Sequence, residues 1–227
     1  IASFDVQSYR RANSDLRAAY GTNLKQYYLH YISYGKREGR RATGVSGLLN
    51  PTTTLDGVDY SAVYDFNDYM DNYADLKALF ADDDVAALRH FVSYGMKEGR
   101  IAKKGFDVKS YKNSYADLRG MYGSDYKNYY IHYMYCGKNE GRNSTTNVKT
   151  VIGGVSILNG VDYSDVYDYQ TYIALNPDIK SACGGDDILD LKHLVLYGTK
   201  EGRLAKNSFN PYHNRARYAD VRSIYGK

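Results

Sequence analysis

The sequence predicts an all-α fold made of tandem repeats of short helices, with about three helices in each repeat. A segment that begins with histidine and ends in Glu-Gly-Arg occurs four times. Its copies are His30–Arg40, His90–Arg100, His132–Arg142 and His193–Arg203. Apolar and aromatic residues at helical spacing precede the copies, and self-similarity at a regular period is the signature of a repeat architecture.

The repeats are of two alternating types. Type A begins at Phe4 and Phe106, type B begins at Gly57 and Gly160, and a shortened A copy begins at Phe209. This divides the chain into repeat A1 (1–43), a linker (44–56), B1 (57–104), A2 (105–143), a linker (144–159), B2 (160–208) and a truncated A repeat (209–227). We expect this A–B alternation to form either a solenoid-like stack or two packed units. If the first two helices of each repeat pack on the third helix of the repeat before it, the truncated copy caps B2.

Each repeat has the same predicted elements. The first helix begins after a capping aspartate, and a tyrosine follows four residues later, as in Asp5 and Tyr9. The second helix carries an apolar anchor and ends at a glycine, as in Leu16 and Gly21. We expect the third helix to be capped by Gly35 or its equivalent. The Glu-Gly-Arg that follows is predicted to be a turn, locked by an ion pair, whose glycine has a positive φ.

Composition narrows the possible functions. The 227 residues include 27 tyrosines, 6 phenylalanines and no tryptophan, so tyrosine supplies most of the aromatic surface. A net charge of +4 is too small to indicate nucleic-acid binding. No apolar run is long enough to insert into a membrane. The chain opens at Ile1 without a recognisable leader, and we expect it to be part of a longer protein.

Charge alternates between the two repeat types. Formal net charges are +5 for 4–41, −5 for 57–100, +2 for 106–142, −4 for 160–203 and +3 for 209–227. Two interpretations remain open: attraction between consecutive packed repeats, or a bipolar surface that binds a partner.

The two cysteines replace aromatic residues of other copies. Cys136 aligns with Tyr34, Tyr94 and Tyr197, and Cys183 aligns with Tyr20, Phe80 and Tyr122. If these are core positions, both cysteines are buried free thiols; a Cys136–Cys183 disulfide is the alternative.

Three segments carry a resemblance to known proteins. These are Tyr172–Lys180, His193–Arg203 and the lead-in Gly57–Asp65. They resemble the tandem helical repeats of secreted proteins from gut Gram-positive bacteria. Such repeats accompany cell-wall hydrolase domains as wall-attachment modules, and they occur in surface proteins that bind immunoglobulin variable domains as B-cell superantigens. The resemblance implies a secreted or cell-surface location and a binding role.

The third helices suggest where a partner binds. The position of Tyr28 is apolar in all four copies and is therefore predicted to be core. The position of Tyr27 holds alanine in B1 and aspartate in B2, and the position of Leu29 holds Arg89 and Lys192, so both positions are predicted to be on the surface. Packing between repeats is the alternative for these residues. The predicted partner-binding residues are Tyr27, Leu29, Arg17, Tyr129, Ile131 and Arg119.

Catalysis and metal binding are not expected. Each repeated histidine lies eight residues before a glutamate, which is not a known ligand spacing, and no nucleophile or acid–base motif is present. A histidine at one repeated position is more readily explained by packing and a hydrogen bond. We therefore expect a binding module without cofactor or metal, recognising a host protein such as an immunoglobulin variable domain. Cell-wall glycan is the alternative partner.

Overall fold

A computed structural model describes residues 3–145, 147–149 and 151–218. This part of the chain is mostly helical, and its short helices follow one another in tandem, which confirms the all-α repeat fold. It divides into two units. Unit 1 comprises the residues through Val108 together with Tyr130–Ser144, and unit 2 comprises Lys109–Tyr129 together with the described residues from Thr145 onward. The division falls inside repeat A2, so the units cut across the sequence repeats.

Each of the four longer repeats has three seven-residue α-helices, the third of which continues into a π-helical segment, and the two B repeats add a short fourth helix. The elements of A1 and B1 are α1 (Val6–Ala12), α2 (Ser14–Tyr20), α3 (Leu24–His30), π1 (Tyr31–Gly35), α4 (Phe66–Asn72), α5 (Ala74–Phe80), α6 (Asp84–His90), π2 (Phe91–Gly95) and α7 (Met96–Glu98). Those of A2 and B2 are α8 (Val108–Ser114), α9 (Ala116–Tyr122), α10 (Tyr126–His132), π3 (Tyr133–Gly137), α11 (Tyr169–Leu175), α12 (Pro177–Cys183), α13 (Asp187–His193), π4 (Leu194–Gly198) and α14 (Thr199–Glu201).

The first two helices follow the predicted pattern. Asp5 accepts hydrogen bonds from the amides of Gln7 and Ser8, both at 3.1 Å, and Asp65 and Asp168 cap α4 and α11 in the same way. The tyrosines four residues after the aspartates are fully buried, and the aliphatic anchors of the second helices are buried as well: Tyr9, Tyr69, Tyr111, Tyr172, Leu16, Leu76, Leu118 and Ile179.

A tyrosine–histidine contact holds the first helix of a repeat against the third. The hydroxyl of Tyr9 lies 2.9 Å from Nδ1 of His30, and Tyr69–His90 and Tyr172–His193 repeat this contact at 3.0 and 2.8 Å. The histidines of these three repeats are therefore packed and hydrogen-bonded, as expected.

The glycine five residues after each histidine does not cap the third helix, contrary to the prediction. Gly35 closes the π-helical segment, and the backbone continues beyond it with helical dihedral angles. The physical reason for glycine is the tyrosine ring. A Cβ atom on Gly95 would lie 2.7 Å from the hydroxyl of Tyr69, and the hydroxyl of Tyr9 similarly leaves no room for one on Gly35.

The Glu-Gly-Arg segment forms the predicted turn in A1 and A2, whereas in B1 and B2 its glutamate ends the short helices α7 and α14. Gly39 has a φ of +66°, and Arg40 contacts Glu38 at 2.5 Å and Asp15 of α2 at 2.8 Å. Arg203 makes the same two contacts in B2, with Glu201 and Asp178. The turn thereby ties the end of each of these repeats to its second helix.

Each linker ends in a small hairpin that the sequence analysis missed. β1 (Thr54–Leu55) pairs antiparallel with β2 (Val58–Asp59), and β3 (Ile157–Leu158) pairs with β4 (Val161–Asp162). The two turn residues between the strands are Asp-Gly and Asn-Gly, all with positive φ. These dipeptides between apolar residues are a strong hairpin signal.

Buried ion pairs join an A repeat to the B repeat that follows it. Arg17 of α2 meets Asp84 of α6 in unit 1, and Arg119 of α9 meets Asp187 of α13 in unit 2. The sequence analysis expected contact with the preceding repeat; these ion pairs instead join the second helix of each A repeat to the third helix of the B repeat that follows it. The pairs favour the packing interpretation of the alternating charge.

The truncated A repeat retains its first helix, α15 (Pro211–Arg217). Asn210 caps it, accepting from the amides of Tyr212 and His213. Its predicted second helix, with Val221 and Tyr225, lies outside the described residues.

Candidate functional site

The third helix of A1 presents a row of exposed apolar side chains. Leu24, Tyr28 and Ile32 are spaced four residues apart on α3 and π1, and Leu29 lies beside them. Ile32 is 75 % exposed. We call Leu24, Tyr28, Leu29 and Ile32 the α3 face. Adjacent large apolar side chains left in water are typical of a surface that another protein covers.

Residues equivalent to Tyr28 of the α3 face differ from it in their burial. Tyr28 is 48 % exposed, whereas Leu88, Tyr130 and Leu191 at the same position are fully buried. The prediction that this position is core is thus wrong for Tyr28 alone. Tyr130 is covered by B1: its ring meets Phe91 edge-on at 5.5 Å, and its hydroxyl donates to the carbonyl of Arg100 at 2.7 Å. Tyr28 meets the ring of Phe4, in its own repeat, at 5.3 Å, and this contact leaves about half of its side chain in water.

The predicted surface tyrosines belong to the core. Tyr27 and Tyr129 are fully buried, and their hydroxyls donate to the carbonyls of Gly21 and Gly123, each at 2.7 Å. The prediction that they bind a partner is therefore wrong for this fold. It rested on the aspartate at this position in B2, but Asp190 is itself fully buried.

The two predicted binding arginines are also inaccessible. Arg17 and Arg119 are among the largest fully buried side chains, each held by an aspartate of the next repeat. Both arginines contribute to packing between repeats and are not part of a binding surface.

Two of the predicted site residues remain on the surface. Leu29 and Ile131 occupy equivalent positions on α3 and α10 and are 48 % and 37 % exposed. Leu29 belongs to the α3 face, while its neighbour Tyr28 was missed by the sequence analysis. The exposure of Tyr28 depends on whether another repeat packs against its helix. An alignment of equivalent positions in the sequence does not contain this information.

The cysteines differ from the prediction as well. Both are free thiols; Cys136 is exposed and Cys183 is partly buried. The aligned tyrosines of the other copies, Tyr34, Tyr94 and Tyr197, are exposed too. The position of Cys136 is therefore on the surface, and its assignment to the core was wrong.

Unit 2 contains a basic cleft of about 800 Å³. Lys112, Lys149 and Lys180 line it together with the Arg119–Asp187 pair, and the buried Tyr169 forms part of its wall. Arg119 neutralises Asp187, and Asp186 offsets one of the three lysines, so the cleft keeps a formal net charge of +2. It is suited to an anionic ligand.

No helix among the described residues combines the length and apolar character needed to cross a membrane. In comparisons with known proteins, no family model matches the sequence, and neither a curated protein nor a solved structure shows significant similarity to it.

Proposed function

We propose that the chain is a non-catalytic binding module of a secreted or surface protein of a Gram-positive bacterium, and that it recognises a host protein. The observation that carries the proposal is the exposed α3 face. Tyrosine, leucine and isoleucine side chains that bury against a partner provide the apolar centre of a protein interface. The same helix position in A2 already receives a protein surface, because Tyr130 packs against B1.

The proposed partner is an immunoglobulin variable domain. This part of the proposal rests on the resemblance of the repeats to those of superantigen-type surface proteins. Burial in repeat A2 lowers the number of binding sites that we expect per chain. Two A–B pairs would give two sites, but the copy of Tyr28 in A2 is buried, so we expect one α3 face and one bound variable domain per chain.

Binding of immunoglobulin Fab fragments to the immobilised chain tests this function. Tyr28→Ala combined with Ile32→Asp should weaken binding by more than about 30-fold, since interface hot spots contribute about 2 kcal/mol or more. Leu79→Asp is the matched control, because Leu79 is an exposed leucine of α5 that is not part of the α3 face. Unchanged Fab affinity in the double variant, with its helicity intact, would reject the α3 face as the binding surface.

Attachment to an anionic cell-wall glycan is the second candidate function. The basic cleft of unit 2 favours it, because lysines attract phosphate-bearing polymers. Sedimentation with purified cell walls tests it. Lys149→Glu together with Lys180→Glu should abolish binding to walls and leave Fab binding unchanged; wall binding that survives both substitutions would exclude the cleft.

A further inference from the structure

We propose that repeat A2 contains a zinc site formed by His132, Cys136 and Glu140. A ring nitrogen of the histidine, the sulfur of the cysteine and a carboxylate oxygen of the glutamate all lie within 4.8 Å of one another. They come from three consecutive turns of the chain: the end of α10, π3 and the Glu-Gly-Arg turn. The sequence analysis considered only the histidine and the glutamate, and so it overlooked the thiol between them.

The spacing explains why the three side chains converge. Residues four apart on a helix lie on the same face, so His132 and Cys136 are neighbours across one turn. Glu140 is four residues further, where the chain leaves the helix and turns. Tetrahedral zinc holds its ligand atoms about 3.5 Å apart. The atoms therefore have to approach by up to about 1.3 Å, which rotation of the exposed Cys136 side chain and a small shift of Glu140 within its contact with Arg142 can supply.

The chemistry of the three groups fits zinc. Thiolate and imidazole favour zinc over magnesium or calcium, and a carboxylate completes a three-ligand set that leaves a fourth position for water. The Glu140 carboxylate also accepts a hydrogen bond from Nε of Arg142 at 2.6 Å, which orients it. A hydrogen bond at the second ring nitrogen is usual for metal-binding histidines. Such a bond is present on the equivalent His30, whose Nδ1 contacts the hydroxyl of Tyr9.

The other repeats lack the thiol. Tyr34, Tyr94 and Tyr197 stand in its place, with their rings 5.6–5.7 Å from the histidine rings. A histidine and a glutamate remain in those repeats, which is one ligand fewer. Cys136 thus supplies the third ligand of the proposed site, at a position where the other repeats have tyrosine. Zinc binding displaces the thiol proton of Cys136, and so the affinity should fall as the pH is lowered.

Titration of the metal-free, reduced chain with zinc chloride against a chromophoric chelator tests the proposal. We expect one equivalent to bind, and cobalt(II) in place of zinc to give a thiolate-to-metal charge-transfer band. Cys136→Tyr installs the residue of the other repeats and is therefore compatible with the fold. It should lower zinc affinity more than about tenfold and remove the cobalt band. Cys183→Ser, which removes the other thiol, should change neither.

A gain of binding tests whether the ligand set is sufficient. Tyr34→Cys in A1 places a thiol between His30 and Glu38 and should add a second equivalent of zinc. The proposal is overturned if Cys136→Tyr still binds one equivalent with unchanged affinity, if no cobalt–thiolate band appears in the unsubstituted chain, or if Tyr34→Cys gains no zinc.

Discussion

Nε of Arg17 lies 3.1 Å from one carboxylate oxygen of Asp84 and 3.2 Å from the other, and each of the two side chains is 1 % exposed. The remaining guanidinium N–H groups donate to four backbone carbonyls, those of Arg10, Arg11, Leu49 and Asn50. A single side chain of A1 thus joins the end of α1, the linker and the third helix of B1. The arginine is tolerated in the interior because its charge and all these donors have partners.

Replacement of Arg17 should destabilise unit 1 severely. Arg17→Met leaves the Asp84 carboxylate buried without its counter-charge, and we expect the free energy of unfolding to fall by about 3–5 kcal/mol. Urea denaturation followed by circular dichroism measures this. Arg11→Met is the control: its ion pair with Asp82 is about one-third exposed, so its loss should cost less than about 1 kcal/mol. Equal effects of the two substitutions would show that the buried pair is not critical.

The sequence was sufficient for the repeats, the aspartate caps of the first helices and the positive φ of the glycine in Glu-Gly-Arg, because each depends on neighbours within one repeat. It was misleading for Arg17, whose partner lies 67 residues away. A usable signal existed: arginine is present at this position in A1 and A2, and aspartate at the partner position in B1 and B2. Tyr28 and Tyr130 show a stricter limit, since the same residue at the same position is exposed in one repeat and buried in the other.

The glycine of π2 should not tolerate a methyl group. In Gly95→Ala the new Cβ would meet the hydroxyl of Tyr69 at 2.7 Å and the ring of Phe91 at 2.9 Å, so we expect about 1–3 kcal/mol of destabilisation. Gly120→Ala in α9 is the opposite case. There the nearest atom, on Val155, is 3.6 Å away, and removal of a helical glycine should stabilise by about 0.5–1 kcal/mol. Thermal denaturation of both variants compares the effects; a tolerated Gly95→Ala would refute the close approach.

Unit 1 should lose stability on acidification through His90. Burial lowers the pKa of the His90 imidazole below its ordinary 6.5, and Arg100 lowers it further. The unfolded chain therefore binds a proton more readily than the folded one. This contribution to stability is complete above about pH 6.5 and is lost as the pH falls below that value. Unfolding free energies measured on both sides of it should show a shallower acid loss in His90→Gln.

Tyr69→Phe separates this titration from the hydrogen bond. The substitution removes the contact with His90 but keeps the imidazole, so we expect a loss of about 0.5–1.5 kcal/mol with the pH dependence largely retained. An acid loss in His90→Gln as steep as in the unsubstituted chain would assign it to other groups.

Asp190 should have the opposite pH dependence in unit 2. It is fully buried at the register of Ala87, and neither carboxylate oxygen makes a well-formed hydrogen bond with the described residues. Burial raises the pKa of its carboxyl; the Cys183 thiol offsets part of the rise, and Asp186 and Asp187 add to it. The folded state therefore holds this proton more tightly. The cost of the charged form is present above the folded pKa and disappears as the pH falls towards the ordinary value of 3.8.

Asp190→Ala should consequently stabilise unit 2 at neutral pH, by about 1–3 kcal/mol, because it removes a buried charge whose oxygens make no well-formed hydrogen bond. The gain should shrink in acid, where the native carboxyl is already protonated. Ala87→Asp makes the reverse change in B1 and should destabilise unit 1 at neutral pH. Chemical denaturation of both variants at neutral and acidic pH gives the comparison. A loss of stability in Asp190→Ala at neutral pH would mean that the carboxylate has a structural role that outweighs its desolvation.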